Sequence, residues 1–310
     1  MRLLLIVFTL CISRIILAQN SEFFKNKAVE LGREGEYEKA LNEIEKAIQL
    51  DSSNTDYLNT KGLYLAQLEQ FQAAYDIYSK AIEIDSNSIS FEGRGIILYN
   101  VGEFDMAIED HTYAITNSES DDTKYTGYSN RAVAKMGKQD FLSAYDDLMI
   151  AYRYDSTNIS VLTNLGGVCD DLGMREEALR YLMQVLEIDD MYYPAYGNIG
   201  FIYQEMGQHL EAIKWFDKLL EIDNNEPLGY SNRSFNKYKL GDLKGALLDI
   251  EKSIELYPEN SYAYRTKALI NIEQKRLREA CKNIQLALDY GFTISYGNEM
   301  VELQKKYCRE

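Results

Sequence analysis

Residues 159–192 read ISVLTNLGGVCDDLGMREEALRYLMQVLEIDDMY, and residues 193–226 read YPAYGNIGFIYQEMGQHLEAIKWFDKLLEIDNNE. The second segment answers the first at a spacing of 34 residues. Gly166 is matched by Gly200, Gly173 by Gly207, Ala178 by Ala212, Leu182 by Phe216 and Asp189 by Asp223. Within each segment the apolar residues fall three and four apart, the period of a helix and not the alternation of a strand. A glycine near the middle divides each segment into two short helices, because glycine tolerates the left-handed backbone that ends a helix. The same unit extends in both directions. Ala40, Ala74, Ala107, Ala144, Ala178, Ala212, Ala246 and Ala280 follow one another at steps of 34, 33, 37, 34, 34, 34 and 34 residues. A fixed period of this size marks a chain built by stacking one helical unit.

Numbering each unit from the residue 19 before its marker alanine gives a set of phases. Phase 8 is small throughout: Ala28, Gly62, Gly95, Ala132, Gly166, Gly200, Ser234 and Ala268. Small residues there and at the marker let two helices approach closely. Phase 24 is bulky in Tyr78, Leu148, Leu182, Phe216 and Ile250. Gly35, Gly102, Gly173, Gly207 and Gly241 occupy phase 15, the turn inside the unit. Asp51, Asp85, Asp155, Asp189 and Asp223 occupy phase 31, in short polar clusters that read as turns between units. None of these clusters has the alternating ligands, central glycine and terminal glutamate of an EF-hand loop, so no metal is expected.

The pattern Leu162-x-x-Leu165-Gly166-x-x-Cys169, then Gly173, Ala178, Leu182 and Val185, resembles the tetratricopeptide repeat family. Tyr196, Ile199, Gly200, Tyr203, Ala212, Phe216 and Leu219 repeat it, and Pro258 stands where that family often has proline. The resemblance implies an all-α fold, a right-handed α-solenoid superhelix of eight helix-turn-helix units. Their expected bounds are 21–54, 55–87, 88–121, 125–158, 159–192, 193–226, 227–260 and 261–294, within a domain spanning 19–294. The 37-residue step places a small acidic insertion around Ser118–Thr123, expected as a surface loop. A stripe of Tyr296, Met300, Leu303 and Tyr307 predicts a capping helix over Tyr296–Lys306, within a C-terminal segment 295–310 that covers the last unit.

The first residues, MRLLLIVFTLCISRIILA, carry an early arginine, an apolar run and Ala18 at a cleavage-like position. They read as an export signal over residues 1–18. Arg14 interrupts the run, leaving it short of the ~20 residues that a comfortable membrane span needs. Contact with a membrane is therefore expected only through this segment, if it is retained. Export sets the expected location as periplasmic or otherwise associated with the envelope of a two-membrane bacterium, with secretion as a variant. In such an oxidising compartment Cys281 and Cys308 can be bridged, tying the capping helix to the last unit. Cys169 takes an inward phase and reads as a small buried apolar residue.

With 33 basic and 49 acidic residues the net charge is −16, which repels nucleic acid and favours a basic or neutral partner. No glycine-rich phosphate loop, Cys-x-x-Cys pair or His-Glu-x-x-His helix is present, so neither cofactor nor catalysis is expected. The two histidines, His111 at phase 24 and His209 at phase 17, read as helix-packing residues. What the family resemblance implies is a protein-binding scaffold, with phases 2, 5, 6, 9, 12 and 13 lining the inner groove. Phase 6 is Asn130, Asn164, Asn198 and Asn232 at equal spacing. Each carries an amide donor and a carbonyl acceptor suited to the backbone of an extended peptide. The column resembles the asparagine ladder in the repeat domain of O-linked N-acetylglucosamine transferases, although such asparagines also bridge neighbouring helices in this family. Phe201, Phe235, Tyr238 and Tyr262 stand beside it, either as exposed anchors or as packing between first helices. Arg131, Arg233 and Lys267 at phase 7 read as structural. The clamp for a C-terminal carboxylate found in co-chaperone members is not reproduced, because Lys25 fits it but Val29, Thr60, Ile89 and Gly93 do not. Two other functions remain open on the sequence: a structural or oligomerisation module of the envelope, and a glycan-binding envelope protein that stacks sugars on these aromatics.

Overall fold

The structure, a computed structural model, describes residues 19–308, and the expected export signal lies outside them. Among the described residues every regular element is an α-helix. The chain divides into two compact units, one ending at Asn164 and the other beginning at Leu165.

The N-terminal unit holds α1 (19–33), α2 (Tyr37–Leu50), α3 (Thr55–Gln67), α4 (Phe71–Ile84), α5 (Ser88–Asn100), α6 (Phe104–Asn117), α7 (Asp121–Gly137) and α8 (Phe141–Tyr154). From α2 onward each helix packs on the next. α9 (Ile159–Asp171) carries the division between the units. The C-terminal unit continues with α10 (Arg175–Ile188), α11 (Tyr193–Glu205), α12 (His209–Ile222), α13 (Pro227–Lys239), α14 (Leu243–Leu256), α15 (Ser261–Glu273) and α16 (Leu277–Asp289). It ends in α17 (Phe292–Tyr296) and α18 (Glu299–Tyr307). In this unit α11 also touches α13, and α13 touches α15, so the first helices of successive hairpins form one wall.

Phases 8 and 24 meet inside the hairpins, and that contact explains their sizes. A Cβ on Gly166 would stand 2.7 Å from Leu182 Cγ, and one on Gly200 would stand 2.9 Å from the Phe216 ring. The large side chain fits only where the small one makes room. The marker alanines and both of these large residues are wholly buried. Phase-31 aspartates close the turns between hairpins: Asp155 Oδ1 accepts from the Thr157 amide at 2.9 Å, and Asp223 Oδ1 from the Asn225 amide at 2.9 Å.

The turn inside each hairpin passes through a left-handed residue whether or not it is glycine. Gly35, Gly102, Gly173, Gly207 and Gly241 have φ between 72° and 83°, and Glu69, Gln139 and Lys275 adopt φ of 57°, 61° and 59° at the same phase. An L side chain there crowds its own carbonyl, by about 1–2 kcal/mol, while glycine costs more entropy on folding, about 0.5–1 kcal/mol. Gln139→Gly is therefore expected to stabilise the N-terminal unit by about 0.5–1 kcal/mol, read as a higher urea midpoint. An unchanged or lower midpoint would show that the strain at Gln139 is already relieved by its surroundings.

Two expectations are corrected here. The acidic insertion is only partly a loop. Ser120 accepts a hydrogen bond from the Thr123 amide and caps α7, so Asp121–Thr123 are helical. Asp121 and Asp122 fall in the first turn, where carboxylates favour the helix dipole. The capping helix is likewise two helices and not one over Tyr296–Lys306. Gly297, at φ 84°, breaks it, leaving Tyr296 at the end of α17 and Met300, Leu303 and Tyr307 on α18. The covering role is met by Phe292 and Met300, both buried against Ala268, Ile284 and Ala287 of the last hairpin. Cys281 on α16 and Cys308 after α18 are joined by a disulfide, with Cα atoms 5.5 Å apart. Cys169 is buried with a free thiol, and burial pushes its pKa up to about 11.

Candidate functional site

The C-terminal unit holds a cavity of about 260 Å³ on the wall formed by α11, α13 and α15. α11 contributes Phe201, Gln204 and Glu205; α13 contributes Leu228, Ser231, Asn232 and Phe235; α15 contributes Tyr262 and Arg265. The cap closes it with Phe292, Tyr296 and Glu299. Four residues singled out from the sequence therefore share one site: Phe201, Asn232, Phe235 and Tyr262. They converge because first-helix residues at phases 2, 6 and 9 lie on the same face of adjacent helices.

Their environments differ. Phe201 is 41% exposed, whereas Phe235 is 8% exposed and acts as packing, not as a free anchor. The Arg265 guanidinium stands 4.5 Å from the Phe235 ring centre and 5.0 Å from that of Tyr262. Tyr262 meets Phe235 edge-on at 5.9 Å and Tyr296 at 5.3 Å. Burial pushes the Tyr262 hydroxyl up to about 12, so it stays protonated at neutral pH. Tyr238 is half-buried and does not line the cavity, its ring lying 6.5 Å from that of Phe235.

A chain of hydrogen bonds holds the back of the site. Gln204 Nε2 donates to the Tyr262 hydroxyl at 3.3 Å, Asn236 Nδ2 donates to Gln204 Oε1 at 2.7 Å, and His209 Nδ1 pairs with Asn236 Oδ1 at 2.8 Å. His209 is thus a linking residue between hairpins. Arg265 donates from Nε and Nη2 to the Glu299 carboxylate at 2.6 and 3.2 Å, fixing the start of α18 to α15.

The other asparagines of the column are placed separately. Asn198 is exposed on α11 and does not line this cavity. Asn164 is half-buried on α9 in the N-terminal unit. Asn130 Nδ2 donates to Glu92 Oε1 at 2.6 Å, and Glu92 Oε2 pairs with the buried His111 Nδ1 at 2.9 Å. Asn130 therefore bridges neighbouring helices. The phase-7 arginines are structural: Arg131 grips Asp147 through Nε and Nη2 at 2.8 and 2.7 Å, and Arg233 grips Asp249 at 2.8 and 2.6 Å.

Sequence reasoning missed Arg265, Glu299, Gln204 and Asn236. Arg265 was within reach, since it occupies phase 5, a groove phase, yet it is the only arginine there. Glu299 lies beyond the last repeat and carries no phase at all.

Stacked helix hairpins with a lined wall of first helices define a repeat protein whose working part is a surface. The chain carries tetratricopeptide repeats: family models described as tetratricopeptide repeat match residues 26–89, 159–190 and 193–226. Repeats of this family mediate protein–protein interaction, and its members are typically non-enzymatic scaffolds. No curated protein matches the chain. Among solved structures it is similar to a chain of the APC/C hetero-tetramer Cut9–Hcn1, with 16% identity and a TM-score of 0.67 over 83% of this chain and 52% of that one. It is also similar to PilF of Pseudomonas aeruginosa, with 19% identity and a TM-score of 0.57 over 72% of this chain and 98% of that one. The C-terminal part of a TPR repeat-containing protein from Cytophaga hutchinsonii gives 16% identity and a TM-score of 0.56, over 78% and 99%. These likenesses are of fold.

Proposed function

We propose that the protein is a non-catalytic scaffold that holds an extended segment of a protein partner along the first-helix wall, and that it works after export to the bacterial envelope. The observation that carries the binding reading is the shared cavity of Phe201, Asn232, Phe235 and Tyr262, drawn from three successive hairpins. An extended peptide crosses hairpins as the wall does, so asparagine amides can pair with its backbone while rings receive its side chains. Export rests on the apolar run in residues 1–18 ahead of Ala18.

Replacing Asn198 and Asn232 of the C-terminal unit together by alanine tests the binding mode. Capture of envelope proteins on the immobilised chain, identified by mass spectrometry, is expected to fall roughly tenfold, about 1.4 kcal/mol, with helical circular dichroism unchanged. Undiminished capture would remove the asparagines from the mechanism. Export is tested separately by N-terminal sequencing of protein recovered from the periplasm, where a start at Gln19 is expected.

A further inference from the structure

We infer that the cavity between α11, α13, α15 and the cap receives a cationic side chain, lysine or arginine, from a basic extended segment. This deepens the groove reading above and rests on it. The argument begins with charge. Three charged side chains line the cavity, and two of them, Arg265 and Glu299, are joined to each other. The third, Glu205, is exposed and forms no salt bridge among the described residues. Of the charges that line the cavity itself the unpaired one is therefore negative, with the Lys239 ammonium on α13 held 5.2 Å from the Phe235 ring centre.

The chain as a whole, at −16, draws a basic partner in and discourages an acidic one.

The rings supply the second element. Arg265 already lies against Phe235 and Tyr262, which shows that this aromatic surface accepts a guanidinium. Phe201 and Tyr296 are 41% and 51% exposed and leave faces open at the cavity. A cation over an aromatic face gains from the ring quadrupole. A volume of about 260 Å³ suits one long side chain. A carboxylate ligand fits less well: Nε and Nη2 of Arg265 are already taken by Glu299, its unpartnered Nη1 is buried away from solvent, and Glu205 repels a negative group.

The test uses the full chain, immobilised, and a synthetic library of end-capped nonapeptides read by sequencing the bound pool. Arginine and lysine are expected to be enriched about tenfold over aspartate and glutamate at one position, less so at high salt. Glu205→Gln and Phe201→Ala are each expected to cut that enrichment to about twofold while leaving the circular dichroism spectrum unchanged. Peptides captured without a basic preference, or a preference that survives both substitutions, would overturn the inference and leave the groove reading standing. If the folded chain captures no more peptide than the urea-unfolded chain, the groove reading falls with it.

Discussion

Asp249→Ala is expected to destabilise the C-terminal unit by about 3 kcal/mol, at the lower end of the 3–5 kcal/mol typical of breaking a buried ion pair. Asp249 lies on α14 with its side chain 7% exposed. It accepts from Arg233 Nε and Nη2 and from Lys237 Nζ, the last at 2.8 Å. Both cations are mostly buried, at 16% and 21% exposure. Burial opposes the charge on Arg233, but the hydrogen bonds and attraction of Asp249, joined by Asp217, outweigh it and hold its pKa above the ordinary arginine range. Removing Asp249 leaves that burial cost in place without its main compensation. The loss stays near the lower end because Arg233 Nη1 keeps Asp217 at 2.8 Å, and Lys237 can swing towards water. Asp249→Asn keeps an acceptor and is expected to cost about half as much. Replacing the pair by apolar residues, Arg233→Met with Asp249→Leu, is expected to recover most of the loss. Urea unfolding of the variants checks the series, and native-state hydrogen exchange should place the loss in α12–α15. A single substitution that costs under about 1 kcal/mol would mean that the cluster behaves as a surface pair.

Much of this was legible, because a repeat writes its packing rules several times over. Phase 8 and phase 24 are 16 residues apart, and their small and large residues meet as Gly166 with Leu182 and Gly200 with Phe216. The ion pairs follow the same 16-residue step: Lys27 with Glu43, Arg94 with Asp110, Arg131 with Asp147 and Arg233 with Asp249. Arg131 and Arg233 read as structural from the sequence, but the acidic partners at phase 23 are hidden among many surface carboxylates. In two of the other hairpins both phases turn apolar, as Leu165 with Tyr181 and Ile199 with Trp215, while the remaining two hold Lys61 with Ile77 and Lys267 with Asn283. The turn glycines were visible too, but not that Glu69, Gln139 and Lys275 adopt the same backbone, since nothing in their chemistry asks for it. The site was legible only in part. Phe201, Asn232, Phe235 and Tyr262 follow from phase, whereas the cap that closes their cavity stands outside the repeat. Its path turns on Gly297, one residue in a segment with no second copy to compare.

That cap is the subject of the other large expectation: Cys281→Ser with Cys308→Ser should cost the C-terminal unit about 3–4 kcal/mol. The bridge closes a loop with a sequence separation of 27, and the chain-entropy model gives that magnitude for such a loop. The loss should be local, because each repeat of a stack contacts only its neighbours. α18 is the last helix, held to α16 by packing around Met300 and Leu303 and by the bridge, and to α15 by Arg265 with Glu299. Without the bridge α17 and α18 should exchange amide protons fastest, and the cavity would lose the wall made by Phe292, Tyr296 and Glu299. Dithiothreitol should lower the unfolding midpoint of the native chain to that of the double variant and leave the variant itself unchanged. Since the bridge contributes only where disulfides persist, the effect also bears on export: protein kept in a reducing cytoplasm should resemble the variant. Equal stability of the native chain with and without reductant would mean that packing alone holds the cap, and that the last hairpin needs no covalent tie to keep its cavity closed.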